Sequence, residues 1–61
     1  MIGKRVWVWS GRNSGMEATI IADNTSEYFV DFNRIRRIKE FDLIVQDAYW
    51  VKHKDVEEIE L

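Results

Sequence analysis

The 61-residue sequence has no cysteine, no proline and one histidine. Without cysteine the chain cannot form disulfides, and one imidazole cannot supply the ligands of the usual structural zinc sites, so we predict no metal and no cofactor. No apolar run approaches the roughly 20 residues that span a bilayer, so no membrane association is expected. A cysteine-free chain suits a reducing compartment, and we therefore expect a cytoplasmic protein.

The length allows one domain, residues 1–61, because a chain of about 60 residues has one small core and buries only about 60% of its unfolded surface. A domain of this size has no room for a deep pocket that excludes water, so we expect no enzymatic activity. The alternating His53, Asp55 and Glu57 include three ligand types, but we interpret them as ordinary surface side chains.

The net charge of −2 combines two unlike regions of the chain. Residues 1–54 contain nine basic and seven acidic side chains, whereas residues 55–61 contain four acidic side chains and no basic one. Four cations lie close together, at Arg34, Arg36, Arg37 and Lys39. They form either a solvated face or an anion-binding patch. The acidic end is either the outer face of a last strand or a surface that docks onto a basic partner.

The first half of the sequence alternates with a period of two, as β-strands do. It predicts strands at Lys4–Trp9, Met16–Asp23 and about Glu27–Phe32, separated by glycine-, serine- and asparagine-rich turns. Within each strand the alternation places certain side chains on one shared face: Val6 and Val8, then Ala18, Ile20 and Ala22, then Tyr28, Val30 and Phe32.

The second half gives a mixed pattern. Ile35, Ile38 and Phe41 have helical spacing, while Phe41, Leu43 and Val45 alternate as in a strand. We expect an extended segment that ends in a strand, with a helical turn as the alternative. The remaining expected elements are a strand at about 41–46, a turn at Gln46–Asp47, a strand at Ala48–Val51, a connection at 52–55 and a last strand at Val56–Leu61. Five to six short antiparallel strands without a confident helix predict a small all-β barrel, which removes exposed strand edges.

The segment Val6–Ile20 resembles the KOW motif of small SH3-like barrels. Gly11 and Gly15 match two of its glycine positions, and Ala18 occupies the third. The C-terminal part, from Tyr49 to Ile59, is similar to the strand, short 3₁₀ turn and final strand that close SH3-like barrels. The resemblance covers about half of the chain and leaves residues 33–47 as an elaboration.

The resemblance implies a non-catalytic binding module. KOW domains of ribosomal proteins and NusG-type elongation factors contact RNA or protein partners. Nucleic-acid or nucleoprotein binding is therefore the leading functional hypothesis. A protein-interaction or inhibitor module, of an accessory or phage type, is the alternative. The sequence departs from the pattern of an RNA-binding KOW domain in two ways. Ala18 replaces the last glycine, at which a partner backbone could approach closely, and the acidic pI of about 5.2 lacks the excess of cations that supplies much of the affinity for phosphates.

The three tryptophans mark the candidate binding face. Alternation turns Trp7, Trp9 and Trp50 outward. Either the elaboration covers them through Ile35, Ile38, Phe41 and Ile44, or they form a platform on which bases stack, or they anchor a protein interface. The protein is expected to be a monomer or a homodimer, with RNA, single-stranded DNA or a protein as its partner. The predicted binding residues are Arg5, Trp7, Trp9, Arg12, Arg34, Arg36, Arg37, Trp50 and Lys52.

Overall fold

The computed structural model describes residues 1–59, which form one sheet of five antiparallel strands in the order β4-β3-β2-β1-β5. The strands are β1 (Arg5–Val8), β2 (Met16–Asp23), β3 (Glu27–Ile38), β4 (Leu43–Lys52) and β5 (Val56–Glu58). Short 3₁₀ turns at Lys39–Phe41 and His53–Asp55 precede β4 and β5, and residues 1–59 contain no α-helix. The prediction of an all-β domain of five antiparallel strands is confirmed. The strand order and the 3₁₀ turn before β5 are consistent with an SH3-like barrel.

The core lies on one face of the sheet, which Val6 shares with Val8 and Ala18 with Ile20 as the alternation predicted. Val6, Val8, Ala18, Ile20 and Val30 are completely buried. Seven buried side chains form the whole cluster, and Tyr28, Tyr49 and Val56 pack against it from its margin. Because β-branched residues fit a pleated surface, these strands combine favourable local propensity with burial.

A β-bulge in β2 interrupts the alternation predicted for this strand. Ile20 is opposite Val30, but the register shifts before Ala22, which is opposite Phe29. Phe29 and Val30 are consecutive and point to opposite faces of the sheet. Ala22 therefore lies on the outer face, and the prediction that it shares a face with Ala18 and Ile20 is wrong.

The predicted turn at Gln46–Asp47 is also wrong, because β4 runs without interruption from Leu43 to Lys52. Strand β3 likewise continues past Phe32, and its end pairs with the beginning of β4 from Ile35↔Gln46 to Ile38↔Leu43. None of residues 34–46 is buried. We call residues 34–46 the hairpin arm, since they form a two-stranded extension that is exposed on both faces.

The hairpin arm leaves the body of the domain at Asn33. This residue has a positive φ of 57°, a conformation that asparagine tolerates better than most residues, and the β3–β4 register shifts between Asp31 and Ile35. The buried Asp31 carboxylate accepts hydrogen bonds from the Asn33 backbone N–H at 2.9 Å and from Gln46 Nε2 at 2.6 Å. Hydrogen bonds to Asp31 thus hold the irregular segment in place and fix the base of the arm.

The last strand is shorter than predicted. β5 ends at Glu58 instead of continuing to the C-terminus. Residues 60 and 61, which the prediction included, lie outside the described residues. β5 pairs with β1 through Val8↔Val56 and Val6↔Glu58, so the acidic end of the chain lies beside the first tryptophan-containing strand.

Candidate functional site

A buried carboxylate organises the base of the hairpin arm. Asp47 is 2% exposed and belongs to β4. Its Oδ1 accepts a hydrogen bond from Arg12, and its Oδ2 accepts bonds from Arg34 Nε at 2.9 Å and from Asn13 Nδ2 at 2.8 Å. Arg34 also donates to Asn13 Oδ1 at 2.7 Å, so the four side chains form a closed network. Charge-assisted bonds of this kind are about twice as strong as neutral ones.

The network changes the ionisation of Asp47. Burial raises the pKa of this carboxyl, but hydrogen bonds from Arg34, Arg12 and Asn13, together with the positive charge of Arg12, outweigh burial and lower the pKa from 3.8 to about 2. Asp47 is therefore ionised at neutral pH. The carboxylate holds the loop between β1 and β2 against the start of the arm.

Tyr49 ties the same loop to β4. Its hydroxyl donates to the Ser10 carbonyl at 3.2 Å and accepts the Asn13 N–H at 3.1 Å. The Arg12 guanidinium lies 4.6 Å from the centre of the Tyr49 ring, which adds a cation–π contact. Gly11 has a φ of 78°, and a Cβ there would lie 2.9 Å from the Tyr49 hydroxyl oxygen. Gly11 is one of the glycines that match the KOW motif. A glycine is required there because of the positive φ and because Tyr49 leaves no space for a Cβ.

The nine predicted binding residues lie in several separate places. Arg12 and Arg34 are brought together by Asp47. Arg5 donates to Thr19 and to Glu17, with 2.5 Å to the Glu17 carboxylate. These three arginines are thus engaged with acceptors of the domain itself.

Trp7 and Trp9 are neighbours, with ring centres 6.4 Å apart, but carboxylates surround them. Trp9 is 51% exposed and donates its indole N–H to Glu57 Oε1 at 3.1 Å. Trp7 lies between Glu17 and Glu57 in the sheet. The Trp7–Trp9 pair is therefore an aromatic surface bordered by the Glu57 carboxylate, which disfavours the approach of phosphates, and by the Arg5–Glu17 ion pair.

Trp50 lies apart from the other tryptophans, because β2 and β3 separate its strand β4 from β1. Its ring makes an edge-to-face contact with Phe29 at 5.1 Å between centres, and the side chain is 45% exposed. Lys52, two residues further on, is opposite Glu27. The alternative in which the elaboration covers the tryptophans as a second core is wrong. Trp9 and Trp50 are exposed, and so are three of the four side chains expected to cover them, Ile35, Phe41 and Ile44.

The hairpin arm carries the largest set of exposed apolar side chains. Phe41 is 73% exposed, Ile35 70%, Ile44 65% and Leu43 50%. The predicted binding residues Arg36 and Arg37 are interleaved with them, together with Lys39. Arg37 forms an ion pair with Asp42 at 2.8 Å, whereas Arg36 and Lys39 form no ion pair within residues 1–59.

Sequence reasoning identified the cations of the arm but left open whether its apolar side chains cover the tryptophans. Ile35 lies between Arg34 and Arg36, and this alternation was a sign of an exposed strand. The roles of Asn13 and Asp47 had no such signal, because 34 residues separate them along the chain.

Comparison with known protein families, with curated proteins and with solved structures finds no match to this chain. Within residues 1–59, no helix is long and apolar enough to cross a membrane.

Proposed function

We propose that this protein is a non-catalytic binding module and that its hairpin arm docks onto a partner protein. The observation that carries the proposal is the exposure of Phe41, Ile35 and Ile44, each at least 65%. Small soluble domains rarely leave large apolar side chains together in water unless the patch serves an interaction. Aromatic and aliphatic side chains at the centre of an interface supply most of its binding energy.

The charges of the arm indicate the character of the partner. Residues 34–46 contain four basic and two acidic side chains. Arg36 and Lys39, which form no ion pair within the described part of the chain, flank the apolar positions. The complementary surface is an apolar groove with carboxylates at its rim. Such rim charges accelerate association and give specificity more than they add affinity.

Nucleic-acid binding is the second candidate, and the arm also supports it. A two-stranded β-ribbon fits the major groove of duplex DNA. The cations of the arm lie on such a ribbon, whereas the Trp7–Trp9 pair has Glu17 and Glu57 beside it. Phosphate contacts are therefore proposed for Arg36 and Lys39, with no stacking of bases on the Trp7–Trp9 pair.

The two candidates are distinguished by parallel binding experiments. The first compares the proteins retained from nuclease-treated lysate by the wild type, by Phe41→Ser and by Ile21→Ser. Ile21 is a matched control because it is a 44% exposed apolar residue on the central strand β2. We expect one defined partner that is lost with Phe41→Ser and kept with Ile21→Ser.

The second experiment is a titration of duplex and single-stranded oligonucleotides at several salt concentrations. If the arm binds phosphates, affinity falls steeply with salt, and Arg36→Gln with Lys39→Gln lowers the slope of log affinity against log salt by about 2. Amide chemical shifts map the contacts to the arm or elsewhere. Absence of both a protein partner and oligonucleotide binding at low salt would overturn the proposed function.

A further inference from the structure

The two edge strands of the sheet differ in length and charge, and this difference is independent of the function proposed for the side chains of the arm. The edge strand β5 has three residues and carries Glu57 and Glu58. The other edge strand, β4, has ten residues and pairs only with β3 within residues 1–59. A long open edge presents a row of unpaired N–H and C=O groups to any other strand.

Natural edge strands are protected against pairing by lysine, proline, bulges or short length. Strand β4 has no lysine, arginine or proline from Leu43 to Val51. The one charged side chain in that stretch is Asp47, which is buried beneath Arg12 and Arg34. The bulge that shifts the β3–β4 register lies on β3, between Asp31 and Ile35, so it does not protect the edge of β4. β4 therefore lacks the usual protection along nine consecutive residues.

We infer that two copies of this chain pair antiparallel along β4, with the two-fold axis at Asp47. In this register Ile44 lies opposite Trp50 of the second copy, and Trp50 lies opposite Ile44 of the second copy. Both residues occupy the outer face of the sheet and are exposed, Ile44 by 65% and Trp50 by 45%. Each apolar side chain thus gains an apolar neighbour by symmetry.

Charges support the same register. Just before β4, the exposed Asp42 of one copy, which also pairs with Arg37 of its own chain, lies near Lys52 at the end of β4 of the other copy, and this contact also occurs twice. At the centre the two Asp47 carboxylates approach each other, but each is already bound by Arg12 and Arg34 of its own chain.

Repulsion between the basic arms is small in this arrangement. The two β3 strands are separated by three strand spacings, about 14 Å, which exceeds the Debye length of about 8 Å at physiological salt.

The pairing closes on itself as an isologous dimer and does not propagate. One strand pair covers less area than a standard interface of about 1,200–2,000 Å², so we expect a dissociation constant between about 1 μM and 1 mM.

Cysteine cross-linking tests the register, because residues 1–61 contain no cysteine. In the proposed dimer Gln46 is directly opposite Ala48 of the second copy, with Cα atoms about 4.5–5.5 Å apart, within disulfide range. A mixture of Gln46→Cys and Ala48→Cys should yield the mixed disulfide dimer, identified by mass. Each variant alone should cross-link slowly, because identical positions are offset by two residues and lie about 8 Å apart.

The control is Ile21→Cys on the central strand β2, which has no free edge. Cross-linking of the Gln46→Cys and Ala48→Cys mixture at no more than the rate of Ile21→Cys would overturn the inference. So would preferential cross-linking of either variant with itself.

Sedimentation equilibrium gives an independent test without cysteine. The weight-average mass of the wild type should rise with concentration and reach at least about 1.5 times the monomer value at about 1 mM. Ile44→Lys should remain monomeric, and Ile21→Lys should associate like the wild type. A wild type that stays monomeric, or an Ile44→Lys variant that still dimerises, would overturn the inference. A monomer that nevertheless binds a partner through Phe41 would leave the proposed function standing.

Discussion

Replacing Asp47 with asparagine removes one negative charge from the centre of the network that joins the β1–β2 loop to β4. The carboxylate accepts bonds from Arg12, Arg34 and Asn13. Asparagine has the same shape but only one oxygen, so its amide group must face at least one donor. The expected result is a less stable fold with unchanged strand pairing, since the bonding partners of the carboxylate lie outside the hydrophobic core cluster.

The magnitude follows from the ionisation of Asp47. The difference between a pKa of 3.8 and one of about 2 corresponds to about 2.5 kcal/mol, at about 1.4 kcal/mol per pH unit. The side chains of Arg12 and Arg34 are 41% and 48% exposed, so water partly replaces the lost carboxylate. We therefore expect Asp47→Asn to lower the free energy of unfolding by about 1.5–2.5 kcal/mol at pH 7.

Urea unfolding followed by tryptophan fluorescence measures this effect as a function of pH. The pKa of Asp47 is lower in the folded state, so its ionised form stabilises the fold above about pH 4. This contribution is lost as the pH falls towards 2, where the wild-type carboxyl becomes protonated. The difference between the wild type and Asp47→Asn should accordingly shrink between pH 4 and pH 2.

Asp42→Asn is the matched control, because Asp42 also pairs with an arginine but has an 80% exposed side chain. Its effect on the free energy of unfolding should stay below about 0.5–1 kcal/mol at pH 7. A constant difference between Asp47→Asn and the wild type from pH 7 to pH 2 would refute the assignment of the stability to the ionised carboxylate. Equal effects of the two substitutions at pH 7 would refute the importance of burial.

Two further predictions concern the loop and the core. Gly11→Ala should destabilise the fold by about 2–3 kcal/mol, because the residue has a φ of 78° and a Cβ there lies 2.9 Å from the Tyr49 hydroxyl oxygen. The control Gly3→Ala, with a φ of 89° and no atom within 4 Å of the added Cβ, should cost only about 1 kcal/mol. Equal losses of stability in thermal unfolding would contradict the clash with Tyr49. Val30→Ala removes two methyl groups from a completely buried side chain and should cost about 2–3 kcal/mol in urea unfolding. Ile21→Ala, at a 44% exposed position on the neighbouring strand, should cost less than about 1 kcal/mol, and a larger loss there than at Val30 would contradict the described core.

The hairpin arm shows where local patterns cease to determine the structure. The segment 33–47 combines helical spacing at Ile35, Ile38 and Phe41 with strand-like alternation at Leu43 and Val45. Pairing between β3 and β4 decides in favour of strands, because each strand satisfies the backbone groups of the other. The turn expected at Gln46–Asp47 does not form, since Asp47 bonds to distant residues instead of its own backbone.

Local patterns in the sequence are enough to predict the fold class, the shared faces of Val6 with Val8 and of Ala18 with Ile20, and the positive-φ turn at Gly11. Residues close along the chain decide these features through side-chain period and backbone sterics. Which exposed side chains are free to contact a partner depends on the tertiary structure. It placed Arg12 and Arg34 on Asp47, set Trp9 beside Glu57, and left Ile35, Phe41 and Ile44 in water on the arm. Contacts between residues more than ten positions apart depend on strand order and register, and no local pattern encodes these for a chain that alternates almost throughout.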